Sequence, residues 1–276
     1  MGTSIAELIT DRMDAMPAGE RRAAQTLIAN YPLAGLRTVA DFSQHAGVSS
    51  PTILRFVARL GFHNYSEFQA TLQDELAAQL QSPLSRTGTQ AQPRGDEPAT
   101  LAATLENIRE TFGHVSPRQM DEIVALLANP RASIHLIGGR FTDPIARYMA
   151  AHMSIIRPNV FHLSGQESNW RDRLIDMGRR DVLFVFDIRR YQDSLLQLAE
   201  AAHKRGIQIV LVTDQWLSPI ARFARHVVAG RTAVPSAWDS SAALFVFAEA
   251  LIGDLTRRLE SESAKRIREL ETLRKG

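Results

Sequence analysis

No cysteine occurs among the 276 residues, which excludes a disulfide framework, thiolate zinc sites, iron–sulfur clusters and cysteine nucleophiles, and points to a reducing compartment. Long apolar runs are missing too. No segment approaches the roughly 18 consecutive apolar residues of a spanning helix, and the N-terminus lacks the basic stretch and apolar core of a secretory leader. The expected location is the cytoplasm, with no membrane partner. Lysine is scarce: Lys204, Lys265 and Lys275 are the only three, so Arg supplies 29 of the 32 basic residues. Neither charge sign dominates. At a net charge of +2, bulk electrostatics neither supports nor excludes a nucleic-acid partner, and any basic surface has to be local. The remaining composition, 45% hydrophobic and 22% charged, is that of a folded globular protein, and the length suits two modest domains.

Organisation follows from patterning. Residues 3 to 81 read as wholly helical, with Ile5, Leu8 and Ile9, then Ala23, Ala24, Leu27 and Ile28, spaced along single helical faces. Residues 82 to 98, SPLSRTGTQAQPRGDEP, are rich in Pro and Gly with almost nothing apolar, and read as a linker. From residue 99 to 276, β-branched runs alternate with helical patterns. The candidate strands are Ala132 to Ile137, Asn159 to Leu163, Asp181 to Phe186, Ile207 to Thr213 and His226 to Ala229. Such alternation predicts βαβ units and a parallel sheet covered on both faces, with the apolar run Val182 to Phe186 near its middle. Asp239 to Arg274 reads as one long terminal helix, either solvated or paired with another subunit.

Thr38 to Leu60 carries the most informative local pattern. Thr38 suits a helix N-cap with Asp41 three residues on, while Val39 and Phe42 point inward. Gly47 supplies the left-handed turn, and Ser49 or Ser50 caps a second helix that has Pro51 in its first turn. Ile53, Phe56, Val57 and Leu60 form its apolar face, leaving Thr52, Arg55 and Arg59 on another. Two readings fit: a plain, well-capped helical hairpin, or a helix-turn-helix whose second helix enters the major groove, where hydroxyls and guanidinium groups reach base edges and phosphates. On the second, Arg37, Thr38, Ser49, Ser50, Thr52, Arg55 and Arg59 are the candidate DNA contacts. Over residues 1 to 70 six Arg face six acids, so total charge does not choose between them.

The segments GVSSPTILRF at 47–56 and LGFHNYSEF at 60–68 closely resemble the N-terminal domain of RpiR/MurR-type bacterial transcription regulators, and the order of parts resembles that family over nearly the whole chain. The resemblance implies an all-α N-terminal helix-turn-helix domain and an α/β C-terminal sugar isomerase (SIS) domain, a parallel, flavodoxin-like doubly wound sheet. It also implies an operator in double-stranded DNA, a small-molecule effector, often a sugar phosphate, and assembly as a homodimer or homotetramer through the SIS half. No cofactor and no metal are expected.

Two loops depart from the SIS pattern. Where these domains show G-x-G-x-S, this chain has Gly138, Gly139, Arg140, Phe141 and Thr142, so a glycine loop opens onto a helix able to cradle an anion. Where they carry S-x-S-G-x-T, it has Asp187, Ile188, Arg189, Arg190, Tyr191 and Gln192. The hydroxyl cradle is lost, and two guanidinium groups and a carboxylate stand at the C-terminal edge of a parallel strand, where open α/β sheets bind ligands. Either Arg189 or Arg190 grips a carboxylate or phosphate while Asp187 receives a hydroxyl or amine, or Asp187 pairs with one Arg and the loop binds nothing. The candidate ligand residues are Gly138, Gly139, Arg140, Thr142, Asp187, Arg189, Arg190 and Gln192, with Glu167, Ser168, Asn169 and Trp170, and Pro235, Ser236, Trp238, Asp239 and Ser240, as further walls. Glu167 and Asp187 lack the partners an aldose–ketose isomerase needs, so a regulator is preferred to a sugar-phosphate isomerase or related enzyme with an added helical domain. A SIS half that serves only dimerisation is the third possibility.

Overall fold

The computed structural model describes residues 4–80 and 99–275; the linker expected at 82–98 lies outside the described residues. Residues 4–80 form helices α1 (Ile5–Arg12), α2 (Ala18–Ala29), α3 (Val39–Ala46), α4 (Ser50–Leu60) and α5 (Tyr65–Leu80). A capping box opens α1, Ser4 accepting from the Glu7 N–H while the Glu7 carboxylate takes the Ser4 N–H. The helices share one core of Ile5, Ile9, Leu27, Ile53, Phe68 and Leu72, with Phe42 and Phe56 packed edge to face, 6.4 Å apart.

After residue 98 come α6 (Ala99–Gly113), α7 (Pro117–Ala128), β1 (Ile134–Gly138), α8 (Asp143–Ile156), β2 (Val160–His162), α9 (Glu167–Asp172), β3 (Val182–Asp187), α10 (Asp193–Lys204), β4 (Gln208–Asp214), β5 (His226–Gly230), α11 (Ala242–Arg258) and α12 (Glu260–Lys275). All strand pairs are parallel, in the order β2-β1-β3-β4-β5, the flavodoxin-like doubly wound order. The apolar run is central, as its composition predicts. Alternate residues of β3 serve opposite faces: Val182, Phe184 and Phe186 pack under α7, α8 and α11, whereas Leu183 and Val185 pack against α10. Because both faces are covered, β3 is apolar from Val182 to Phe186 and β4 from Ile209 to Val212. Among the described residues no helix is long and apolar enough to cross a membrane.

The terminal helix departs from expectation. It begins at Ala242, breaks at Leu259 (φ −107°, ψ 29°) and resumes as α12. The break lets Leu259 stay on the core and buries Ser263, while the Arg266 guanidinium donates to the Ser154 carbonyl of α8 at 3.0 Å. Folding back onto α8 replaces the continuous helix expected from Asp239 to Arg274.

Candidate functional site

The α3–α4 turn is built as its residues dictate. Gly47 takes φ 61° and ψ 37°, its N–H bonding the Gln44 carbonyl and that of Val48 the Ser43 carbonyl, the closing pattern that favours a residue without Cβ. Thr38 caps α3 by accepting from the Asp41 N–H at 3.1 Å. The Asp41 carboxylate accepts the Thr38 hydroxyl at 2.7 Å; one methylene shorter than the Glu of a capping box, it bonds the side chain of the cap. Arg37 lies beside it on the surface, 3.0 Å from His45 Nε2.

On α4, Ile53, Phe56, Val57 and Leu60 are buried, so the outer face is fixed by exclusion. Ser49, extended at φ −79° and ψ 152°, caps the helix, and its Oγ lies 2.9 Å from Thr52 Oγ1, which accepts from Arg55 Nη2 at 3.2 Å. These three side chains form a polar line from the cap across the first turns. Two expected contacts lie elsewhere. Ser50 turns inward, 3.3 Å from Ser43 Oγ. Arg59, at the far end of α4, has its guanidinium held by Glu20 of α2, a buried carboxylate, so it anchors two helices.

In the α/β half, the C-terminal ends of β1 and β3 open into a cleft of about 720 Å³. Gly138 is required by close approach: a Cβ there would stand 2.4 Å from the Asp143 nitrogen, so only glycine lets α8 start against β1. Thr142 is a correction. Its hydroxyl is buried, donates to the Phe186 carbonyl at 2.6 Å and accepts from the Gly139 N–H at 2.9 Å, stapling the β1 loop to β3 and leaving no proton to donate to a ligand. The glycine loop is likewise occupied by itself, since the Thr142 and Asp143 N–H groups both donate to the Gly139 carbonyl. Asp143 pairs instead with His162 at 2.8 Å.

The loop after β3 divides its residues. Asp187 lies at the cleft floor, 2% exposed, accepting the Ser218 hydroxyl at 2.5 Å. Burial pushes its pKa up to about 7, and nearby Asp214 raises it further against the Ser218 bond. Asp214 is raised to about 6, again by burial, although Tyr191 donates to it at 2.7 Å. The pairing of Asp187 with an Arg does not form. Arg189 is the second correction: the residue lines the cleft, but its side chain, 5% exposed, bonds Asp239 and the Ala78 carbonyl of α5, over the Trp216 ring. Acceptors from distant parts of the chain take the guanidinium. Arg190 is exposed at the rim, and its φ of 66° is the left-handed conformation of a glycine. Gln192 and Gly139 complete the floor, where a Cβ on Gly139 would stand 3.5 to 3.7 Å from Asp187, Thr142 and Gln192.

Two groups at the cleft, Arg147 and Phe141, were not singled out from the sequence, whereas Trp238 was one of the expected walls. Arg147, one turn into α8, joins Arg140 and Arg190 as an exposed cation; its i, i+4 spacing from Asp143 was the available signal. Phe141, 55% exposed, meets Trp238, 59% exposed, edge to face at 5.9 Å across the mouth. Trp170 lines the cleft as expected and a smaller neighbouring cavity as well, whereas Asn169 lines the smaller cavity.

Known proteins share this architecture. The family described as "Helix-turn-helix domain, rpiR family" matches residues 3–79, and the SIS domain matches residues 126–253. The HTH-type transcriptional regulator HexR of Pseudomonas aeruginosa is 25% identical over 221 residues, 79% of this chain and 76% of that one. In fold the chain is similar to the sugar isomerase domain of the RpiR transcription factor from Sphaerobacter thermophilus, with a TM-score of 0.59 and 20% identity over 63% of this chain and 96% of that one. It is similar over 97% of both chains to the Vibrio vulnificus NanR protein complexed with ManNAc-6P, with a TM-score of 0.55 and 16% identity. Helix-turn-helix, parallel sheet and sequence relatives agree, and the chain belongs to the rpiR family of helix-turn-helix transcriptional regulators that carry a SIS domain.

Proposed function

We propose that this regulator grips an operator in double-stranded DNA through α4 and responds to an anionic carbohydrate derivative, a sugar phosphate or sugar acid, held in the cleft, so controlling a catabolic operon. The observation that carries the reading is the line Ser49, Thr52 and Arg55 on the outer side of a helix whose inner side is fully buried. A rigid helix with hydroxyls at its start and a guanidinium one turn on matches the chemistry of groove recognition, with Arg37 and Thr38 of the preceding helix set to meet the phosphates. Arg140, Arg147 and Arg190 supply the effector's counter-charge above a floor of Asp187 and Gln192. The phosphosugar in the NanR complex supports an anion of that class. In this reading the chain works in the cytoplasm as a regulator without catalysis. Residues 1–81 read DNA, 82–98 link, and 99–276 bind effector and self-associate as a homodimer or homotetramer.

The test joins two measurements. Binding-site selection from random duplex DNA should return an inverted repeat, and Arg55→Ala should weaken binding to it by 1–3 kcal/mol, about fivefold to a hundredfold, at matched salt. A thermal-shift panel of sugar phosphates, sugar acids and neutral sugars should raise stability for anions alone. Selection without enrichment, or stabilisation by neutral sugars only, overturns the corresponding half.

A further inference from the structure

We propose that Arg189 is the positioning residue that couples the cleft to the helix-turn-helix half; this deepens the preceding reading and rests on it for the identity of the cleft as an effector site. Four observations converge. Arg189 is part of the cleft wall, and its N–H bonds Asp214 at 2.5 Å. Its guanidinium donates at 2.9 Å to the carbonyl of Ala78, in the last turn of α5, where carbonyls have no helical partner and the dipole's negative end favours a cation. The same guanidinium holds Asp239, the neighbour of Trp238 at the cleft mouth, so it also ties the two walls together. Trp216, 4.4 Å below it, fixes its plane.

One planar cation is thus shared by both cleft walls and α5. A group entering the cleft and spreading or drawing in the 187–192 loop must move Arg189, and with it the end of α5. From there the path is packed: α5 contributes Phe68 and Leu72 to the core that holds Ile53 and Phe56 of α4. Two adjacent arginines therefore divide the work, Arg190 meeting the ligand and Arg189 the helical half. The cleft wall and α5 share one contact, and coupling follows if that contact has two arrangements that both sites bias, which the measurement below reads.

The test uses the full chain and needs no effector. A Cβ on Gly139 would make ordinary contacts with Asp187, Thr142 and Gln192, so Gly139→Leu fills the cleft floor from within, and Gly139→Ala is the milder form if the larger variant misfolds. Amide hydrogen exchange is read in the last two turns of α5 and in residues 187–192. Arg189→Gln should speed exchange at the end of α5 by about tenfold to a hundredfold, the loss of a charged hydrogen bond. Gly139→Leu should alter α5 exchange when Arg189 is present and leave it unaltered in the Gly139→Leu/Arg189→Gln double variant. Arg189→Lys should restore part of the response. An α5 that ignores the filled cleft, or that responds equally without Arg189, overturns the proposal and leaves Arg189 a strut. A parallel titration with inorganic phosphate separates the two readings: failure of phosphate to stabilise the wild-type chain counts against the anion site, while the filled-cleft measurement still decides the coupling.

Discussion

Arg190 stands where the SIS loop pattern has glycine, yet keeps a glycine backbone at φ 66°. Holding an L-residue there costs roughly 1–2 kcal/mol. Replacement by glycine removes that strain but adds back about 0.5–1 kcal/mol of unfolded-chain entropy, so Arg190→Gly should stabilise the chain by about 0.5–1 kcal/mol. For a chain of this size that is about 2 °C in melting temperature. Affinity should move the opposite way. An exposed guanidinium contributes less than a buried charged hydrogen bond, so the lost contact should weaken anion binding by about tenfold. Arg190→Ala is the control, since it loses the cation but keeps the strained backbone, and it should bind as weakly as the glycine variant without its gain in stability. Differential scanning fluorimetry gives the stabilities and calorimetry with the anion found by screening gives the affinities. Equal destabilisation by both variants would refute the strain argument, and unchanged affinity in both would remove Arg190 from the site.

On α4, Thr52→Ala and Arg55→Ala should weaken operator binding with unchanged helix content, whereas Arg59→Ala should lower stability, because it leaves the buried Glu20 carboxylate unpaired; fluorescence anisotropy and urea titration separate the two, and Arg59→Ala acting only on DNA affinity would reverse the assignment. Asp187 binds its proton more tightly folded than unfolded, its pKa moving from 3.8 up to about 7. Native protein then holds the extra proton between these values, so stability falls as pH rises from about 4 to 7. Asp187→Asn removes that slope, and its stability relative to wild type should improve by up to a few kcal/mol between pH 5 and pH 8.5 in urea unfolding; a difference independent of pH contradicts the burial argument. Gly138→Ala, which drives a Cβ to 2.4 Å from backbone, should cost about 3 kcal/mol or more and lower the melting temperature steeply. A sedimentation experiment on the full chain should give a dimer or tetramer at micromolar concentration, and a monomer would remove the inverted-repeat expectation.

The framework was legible because its signals are local and repeated. The central strands β1, β3 and β4 are buried on both faces, so apolar residues dominate them and betray them; the N-cap positions at Thr38 and Ser49 and the turn at Gly47 declare themselves by residue type. The break at Leu259 left no such mark. No glycine or proline stands there, and the helix yields because Leu259 and Ser263 gain packing against α8, a tertiary gain that no window of the sequence contains.

The cleft was legible in place and not in detail, for a reason specific to long polar side chains. Arg189 and Arg190 are neighbours of equal chemistry, and sequence offers nothing to tell them apart. Their roles diverge because the left-handed backbone at 190 turns that side chain to the rim, while the acceptors for 189 come from Asp239 and from Ala78, 50 and 111 residues away. Thr142 was misread on the same grounds, its hydroxyl serving a carbonyl of β3 that only the folded sheet brings near. These assignments form one pattern. At the three positions of the β3 loop where the SIS motif has hydroxyls, this chain has Asp187, Arg189 and Gln192: the first is bonded to Ser218, the second to α5, and the third donates its backbone N–H to Asp187. The residues at the positions that would cradle a phosphate are the joints that hold the loop to its surroundings, and in the proposed function charge recognition passes outward to Arg140, Arg147 and Arg190 at the rim. Recognition by exposed cations is screened by salt in a way that a buried hydroxyl cradle is not, so effector affinity in this chain should depend on ionic strength.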